Sequence, residues 1–149
     1  MLTKEFVLAG RALFTLDVPE EWRRRHHSEA NPTRPHFTYK VTRKPRSDWY
    51  FVSAREGSDY AYLGTLDSQT GQVRIAKNSA FNEDEWAVRL IRRALPYVWA
   101  GNLTPLHEAG FDLHHEGKCG RCGRELTDPD SISRGLGPDC LKKSSLVPA

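Results

Sequence analysis

The sequence predicts an α+β fold: an antiparallel β meander packed against one long helix, followed by a small zinc-knuckle segment that is treble-clef-like. Four short runs with strand character occupy residues 36–77. One amphipathic stretch follows between residues 82 and 101, and three cysteines lie between residues 119 and 140. We therefore divide the chain into an α+β domain, residues 1–106, and a structural zinc-binding segment, residues 107–149.

The N-terminal elements are read from their apolar spacing. Residues 5–18 carry large apolar side chains on both sides of Gly10, which predicts one or two strands. Residues 19–35 have a different character, because Pro19 opens a short helical stretch that contains Trp22 and a run of arginines. Two prolines then favour a loop. We interpret residues 19–35 as a basic insertion in the α+β domain.

The meander is predicted from four consecutive runs. Residues 36–44 alternate, so that Phe37, Tyr39 and Val41 share one face. Residues 48–55 are rich in aromatic and β-branched side chains, and residues 59–66 follow a Gly-Ser turn. Residues 72–77 come after a hairpin loop that ends in Gly71. The helix then begins with acidic residues and repeats apolar side chains at helical spacing from Trp86 to Val98.

Composition and charge bound the function. The chain has 149 residues and a net charge of +3. It has no apolar run of the ~20 residues that span a bilayer, so we expect a cytoplasmic protein with no membrane partner. Residues 1–46 hold ten Lys or Arg against five Asp or Glu, so the basic excess is N-terminal. Three clustered cysteines fit metal ligands better than a disulfide framework.

The cysteines predict one structural zinc ion. Cys119 and Cys122 form a Cys-x-x-Cys pair with glycines that suit a tight knuckle, and Cys140 supplies a third thiolate. A histidine completes the tetrahedron. His115 is favoured, because a glycine between it and Cys119 lets it fold back, while His114 and His107 stay open as alternatives. Four protein ligands leave no site for water, so the ion is expected to be structural.

The same segment resembles a family of small, uncharacterised zinc-binding domains of bacteriophage and actinobacterial proteins. The resemblance rests on three motifs: His115-Glu-Gly-Lys-Cys119-Gly-Arg-Cys122-Gly-Arg-Glu-Leu126, then Pro129-Asp-Ser-Ile132, then Gly135-Leu-Gly-Pro-Asp-Cys140. It implies zinc, favours His115 over His114, and implies a phage or mobile-element origin. It implies no activity.

Two functions follow from these features with equal weight. The first is a non-enzymatic accessory protein that binds nucleic acid through a basic N-terminal surface, with aromatic side chains of the meander stacking on bases. Five aromatic residues are candidates for stacking: Tyr39, Trp49, Tyr50, Tyr60 and Tyr62. Eight basic residues are predicted to form the surface: Arg23, Arg24, Arg25, Arg34, Lys40, Arg43, Lys44 and Arg46.

The alternative is a protein-interaction module, for example a phage factor that binds and inhibits a host defence protein, with Trp22 as its anchor. An enzyme is disfavoured. The histidines and glutamates of residues 20–36 have no fixed geometry, and the sequence has no phosphate loop, nucleophile elbow or second metal cluster. No small-molecule substrate is expected.

Overall fold

The computed structural model describes residues 2–142, and its centre is a six-stranded antiparallel sheet. The strands are β1 (Arg11–Asp17), β2 (His36–Arg43), β3 (Tyr50–Glu56), β4 (Asp59–Leu66), β5 (Val73–Ile75) and β6 (Asp112–His115). The helices are α1 (Lys4–Val7), α2 (Glu20–His26), α3 (Trp86–Trp99), α4 (Thr104–Glu108), α5 (Pro129–Arg134) and α6 (Pro138–Lys142).

The strand order is β5-β4-β3-β2-β1-β6, so the predicted meander is confirmed as the run from β2 to β5. Strand β1 extends it, and β6 adds a last strand beside β1. Helix α4 and strand β6, which follow the long helix in sequence, belong to this sheet and its core. The part of the chain that carries the cysteines, residues 116–142, begins after β6, and we call it the cysteine segment.

The core lies between one face of the sheet and α3. Alternating residues of three neighbouring strands point into it, including Phe14, Tyr39 and Val52. The apolar stripe of α3 meets them, because its spacing puts Leu90, Ile91 and six other buried residues on one side. The Tyr39 hydroxyl donates a hydrogen bond of 2.5 Å to the carbonyl of Ala87, which joins sheet and helix in the interior.

Side chains on the opposite face of the sheet, which we call the outer face, are mostly half-exposed. Phe51, Ser53 and Tyr62 are examples on β3 and β4. Thr15 of β1 is the buried exception, since its hydroxyl contacts the carboxylate of Glu116 and the hydroxyl of Thr38.

Two sequence predictions differ from the structure. Residues 4–7 form a helix instead of a strand, because the Thr3 hydroxyl caps them by accepting from the Phe6 amide at 3.2 Å. The prediction of a single long helix is only partly confirmed. The 14-residue α3 is accompanied in the described chain by shorter helices that close loops and carry the cysteine segment.

The insertion at residues 19–35 contains the expected short helix and folds back onto the start of α3. The Trp22 ring packs edge-on against Trp86 and Phe111, and the Trp86 indole donates to the carbonyl of Asn31 at 3.1 Å. The insertion is thus tied to the core by its aromatic side chain. Among residues 2–142, no helix has the length and apolar character needed to cross a bilayer.

Candidate metal centre

Three cysteine side chains converge in the C-terminal segment. The sulfur atoms of Cys119, Cys122 and Cys140 all lie within 4.8 Å of one another. Cys119 and Cys140 are buried, and Cys122 is the more open of the three. Three thiols at this separation can hold a metal ion that accepts soft ligands.

A knuckle positions the first two cysteines. Lys118 and Glu125 form an antiparallel bridge, and inside it the Cys119 amide donates to the Arg124 carbonyl at 2.8 Å. The Gly123 amide donates to the Cys119 carbonyl at 2.8 Å, which closes the turn. Gly123 has a φ of +79°, a conformation that strains residues with a side chain. The Cys-x-x-Cys-Gly sequence therefore dictates this turn.

Two short helices bring the third cysteine back. Asp128 caps α5 by accepting from the Ser131 amide at 3.1 Å, and the helix ends at Gly135 in the left-handed region. Helix α6 then carries Cys140. Leu126 and Leu136 pack with Cys119 and Cys140 into a small apolar cluster separate from the main core. Since this cluster is too small to order the segment alone, a metal would act as its staple.

Phe6 of α1 docks the segment onto the rest of the protein. Its ring is buried, lies 5.2 Å from the His115 ring, and occupies the space where Gly120 and Gly135 have no side chains. Beside it, the Arg11 amide donates to the Gly120 carbonyl at 2.7 Å. The two glycines thus allow the close approach that joins the segment to α1 and β1.

The thiols differ in how readily they ionise. Burial raises the pKa of Cys119, but hydrogen bonds from the backbone amides of Gly137, Cys122 and Arg121 outweigh it and lower the pKa to about 7. One of these donors is the Gly137 amide, at 3.4 Å from Sγ. Burial raises the pKa of Cys140, and the neighbouring Cys122 side chain adds to the effect. A cation between the three sulfurs would favour the thiolate form of each.

His115 has other partners in this structure. Its Nδ1 accepts from the Gly117 amide at 3.0 Å, and its Nε2 donates to the Ile132 carbonyl at 2.5 Å. The register of β6 on β1 sets Phe14 opposite His115, and the His115 ring rests on Phe6. His115 is therefore outside the group of three sulfurs, and its role as the fourth ligand stays a prediction. The alternatives, His114 and His107, contact Asp17 and Asp112 instead.

The predicted basic surface is divided between two ends of the sheet. Arg23, Arg24 and Arg25 lie on α2, beyond the end of β1, where Arg25 pairs with Glu21 at 2.7 Å. Arg34 lies at the same end and stands 4.8 Å from the centre of the Phe37 ring. The remaining positive charges are Lys40 within β2, Arg43 at its far end, and Lys44 and Arg46 in the turn that follows.

The aromatic candidates also separate into two groups. Tyr39 and Tyr50 point into the core and are buried, so the prediction that they stack on bases is wrong. Tyr60 and Tyr62 are half-exposed on the outer face, and Trp49 is 62% exposed in the turn between β2 and β3. Strand alternation decides this division, because neighbouring residues of a strand face opposite sides of the sheet.

The structure also reveals a group of chemistry-bearing residues that the sequence did not indicate. Asp17, Asp112 and His114 bring one potential ligand atom each to within 4.8 Å of the others. They lie on β1 and β6, whose pairing could not be read from the sequence. In the sequence, Asp112 and His114 are two residues apart and so share a face of a strand, but no pattern linked them to Asp17.

The chain is thus an α+β protein with a cysteine cluster, a candidate metal centre, appended to its sheet. Residues 114–145 match the model of DUF6011, a family of unknown function. The match covers the three cysteines and less than half of the chain, which makes this segment similar to that family. No curated protein and no solved structure is significantly similar to the chain.

Proposed function

We propose that this chain is a non-enzymatic accessory protein in which a structural zinc ion stabilises the cysteine segment and the outer face of the sheet binds single-stranded nucleic acid. The observation that carries the proposal is the row of half-exposed aromatic rings on that face, next to a lysine. Zinc is the metal proposed, because Zn²⁺ binds thiolates well and, having no redox chemistry, is suited to a purely structural role.

Three half-exposed aromatic rings lie on this face. Phe51, Tyr60 and Tyr62 lie on the outer face of β3 and β4, and Phe51 and Tyr62 are in ring contact at 6.2 Å. The side chain of Lys40 on β2 reaches across β3, and its Nζ lies 4.6 Å from the centre of the Tyr60 ring. Any base can stack on an aromatic ring, and a lysine beside the rings can neutralise a phosphate. The combination therefore suits single-stranded DNA or RNA.

Basic side chains flank these rings. Arg55 lies directly opposite Tyr60 on β3, and Arg34 donates to the Arg55 carbonyl at 3.4 Å. At the β5 edge of the sheet, Arg74 pairs opposite Thr65 and is exposed. A backbone running across β3 and β4 would therefore meet positive charge at both sides of the aromatic row.

Three acidic side chains oppose this arrangement on the β1 side of the outer face: Asp17, Asp112 and Glu116. The Glu116 carboxylate lies over the outer face against Thr15. Burial is the main cause of the raised pKa of Tyr60; Arg55 acts against it, and the charge of Glu116 raises the pKa further. Glu116 therefore limits the proposed surface on the β1 side. Its charge also supplies a test, because removing it should strengthen the binding of a polyanion.

The experiment measures fluorescence anisotropy of labelled single-stranded DNA, single-stranded RNA and duplex DNA at two salt concentrations. We expect salt-dependent binding of the single strands. Tyr60→Leu should weaken it about 5- to 150-fold, since loss of one stacked base costs about 1–3 kcal/mol. Lys40→Gln should reduce the salt dependence, and Glu116→Gln should raise the affinity.

Lys4→Gln is the matched control, because Lys4 is an exposed lysine of α1, remote from the outer face. Joint replacement of Arg23, Arg24 and Arg25 by alanine tests the helix of the insertion instead. If only this triple variant lost binding, the nucleic-acid surface would lie on α2. Absence of binding at low salt would sink the proposal for both surfaces.

A groove beside the insertion favours a second candidate, a module that binds a host protein. A cavity of about 300 Å³ lies between α2, α3 and α4. It is lined by apolar and aromatic side chains, among them Trp22 and Tyr97, and by Arg89 and Arg93. Such a groove suits an apolar segment of a partner that carries acidic residues. A phage factor that inhibits a host defence protein would fit this description.

The second candidate has its own test. The tagged protein would be used to capture partners from a bacterial lysate, with Trp22→Ala as the groove variant. Trp49→Ala is the control, because Trp49 is a more exposed tryptophan in the turn after β2. A partner lost with Trp22→Ala and retained with Trp49→Ala would favour the groove. Equal capture by both variants would reject it.

A further inference from the structure

We propose that the protein has a second metal site, built by Asp17, Asp112 and His114, that takes one divalent first-row transition ion such as Zn²⁺ or Co²⁺. This site is distinct from the cysteines, and it does not depend on the proposed nucleic-acid function. It lies at the edge of the sheet formed by β6.

The sheet register assembles the site. Asp17 of β1 is paired with Asp112 of β6 on one side and with His36 of β2 on the other. Directly opposite residues of antiparallel strands share one face and have close Cβ atoms. His114 lies two residues after Asp112 on β6 and so projects from that face as well. Three neighbouring strands thus direct carboxylates and imidazoles into one small volume.

Each aspartate directs one carboxylate oxygen towards His114 and the other towards a further histidine. The His114 Nε2 lies 3.1 Å from Oδ2 of Asp17 and 4.0 Å from Oδ2 of Asp112. The other oxygens face outward: His36 Nδ1 is 2.6 Å from Oδ1 of Asp17, and His107 Nε2 is 3.5 Å from Oδ1 of Asp112. One oxygen of each carboxylate and one imidazole nitrogen therefore converge, while two further histidines hold the remaining oxygens.

This geometry fits a metal ion. Ligands bound at about 2.0–2.2 Å around a tetrahedral or octahedral ion stand roughly 3–3.5 Å apart. The Asp17–His114 separation already has this value, and Asp112 is an exposed side chain that can close the remaining gap. Carboxylate and imidazole donors suit Zn²⁺, Co²⁺ and Mn²⁺. Histidines that bind the outer oxygens of the carboxylates would orient those ligands.

Electrostatics supplies an independent argument. Two carboxylates directly opposite each other on one face of a sheet repel, and such pairs are destabilising unless a cation lies between them. A bound divalent ion would remove this repulsion. Three protein ligands would leave positions for water, so the ion at this half-exposed site would exchange more readily than one held by the cysteines.

The rival explanation is that protonated histidines alone balance the carboxylates. A metal titration separates the two ideas. Protein carrying one equivalent of zinc would be titrated with Co²⁺ at neutral pH, followed by calorimetry and visible absorption. We expect one further equivalent to bind, without the sulfur-to-cobalt charge-transfer absorption that thiolate ligands give.

Variants localise the ion. His114→Gln and Asp17→Asn should abolish the second equivalent, and His36→Gln should weaken it roughly 10- to 100-fold, as for other groups that orient metal ligands. His27→Gln is the matched control, since His27 is an exposed histidine of the insertion that contacts Thr33. Circular dichroism would verify that each variant is folded.

A second measurement uses the unmodified protein. Paramagnetic Co²⁺ should broaden or shift the ring-proton resonances of His36 and His114 and leave those of His27 unchanged. Failure of Co²⁺ and Zn²⁺ to bind beyond the first equivalent would overturn the proposal. Binding that survives His114→Gln and Asp17→Asn would overturn it as well.

Discussion

Replacing Gly135 by alanine should weaken metal binding by the cysteine segment more than the same replacement at Gly117. Gly135 ends α5 with a φ of +76°, where a side chain is strained. A Cβ at this position would also overlap Cδ1 of Phe6 and stand 2.9 Å from its Cε1. Phe6 is 1% exposed, so its ring has little room to move away.

The expected magnitude combines two terms. A left-handed residue with a side chain costs about 1–2 kcal/mol. Overpacking against a buried ring costs about 1–3 kcal/mol more. If the segment folds around the proposed zinc ion, the total of about 2–5 kcal/mol should appear as a loss of affinity for zinc. At 1.4 kcal/mol per factor of ten, that is roughly 30-fold to several thousand-fold.

The assay is competition for Zn²⁺ between the protein and a chromophoric chelator. Gly117→Ala is the matched control, since Gly117 has a φ of +75° but nothing within 4 Å of its added Cβ. It should lose only about 5- to 30-fold, the cost of backbone strain alone. Adding Phe6→Leu to Gly135→Ala should restore part of the affinity by removing the ring.

Equal losses for Gly135→Ala and Gly117→Ala would contradict the docking of Phe6 on the segment. So would a double variant with no recovery. The strain and the contact are separate causes, and this pair of substitutions measures each of them.

The remaining predictions concern the metal ligands, the core and protonation. Elemental analysis should find zinc in the protein and none in Cys119→Ser, and the near-ultraviolet spectrum of this variant should show unfolding of at least the C-terminal segment. Retention of zinc by His115→Gln would reject the histidine as fourth ligand. Tyr39→Phe should lower the free energy of unfolding by about 0.5–1.5 kcal/mol in urea denaturation, because the hydrogen bond from the buried Tyr39 hydroxyl to the Ala87 carbonyl is lost. An unchanged midpoint would argue against that bond. Zinc binding should release more protons at pH 6.5 than at pH 8.5. Cys119, with a pKa of about 7, is still largely protonated at pH 6.5, and Cys140 has a raised pKa, so both thiols must lose protons to bind the ion. Calorimetry in buffers of different ionisation enthalpy measures the number of protons released, and equal release at both pH values would contradict the lowered pKa of Cys119.

Much of the fold was predictable because its signals are local. The alternation of Phe37, Tyr39 and Val41 was enough to orient β2, and the helical spacing of apolar residues after Trp86 was enough to predict α3. Residues 4–7 were misjudged for the opposite reason. Four residues are too few to show a period, and the Thr3 cap decided their conformation.

The candidate sites were predictable to different degrees. The Cys-x-x-Cys knuckle is a local turn, and its glycines can be read directly from the sequence. The partners of His115 depend on how β6 pairs with β1, a contact between residues about one hundred positions apart. The division of the basic residues between two ends of the sheet is a local matter, since Arg25 precedes β2 and Lys44 follows it.

The sequence by itself determined the elements whose information is short-range: the meander, the long helix and three candidate metal ligands with the turns that present them. The tertiary structure alone decided which side chains meet across the sheet, and so it formed the Asp17, Asp112 and His114 group and the seat of Phe6 on two glycines. The physical reason is that turns and periodicity are fixed by neighbouring residues, whereas register and docking are fixed by the burial of surfaces that come together only in the folded chain.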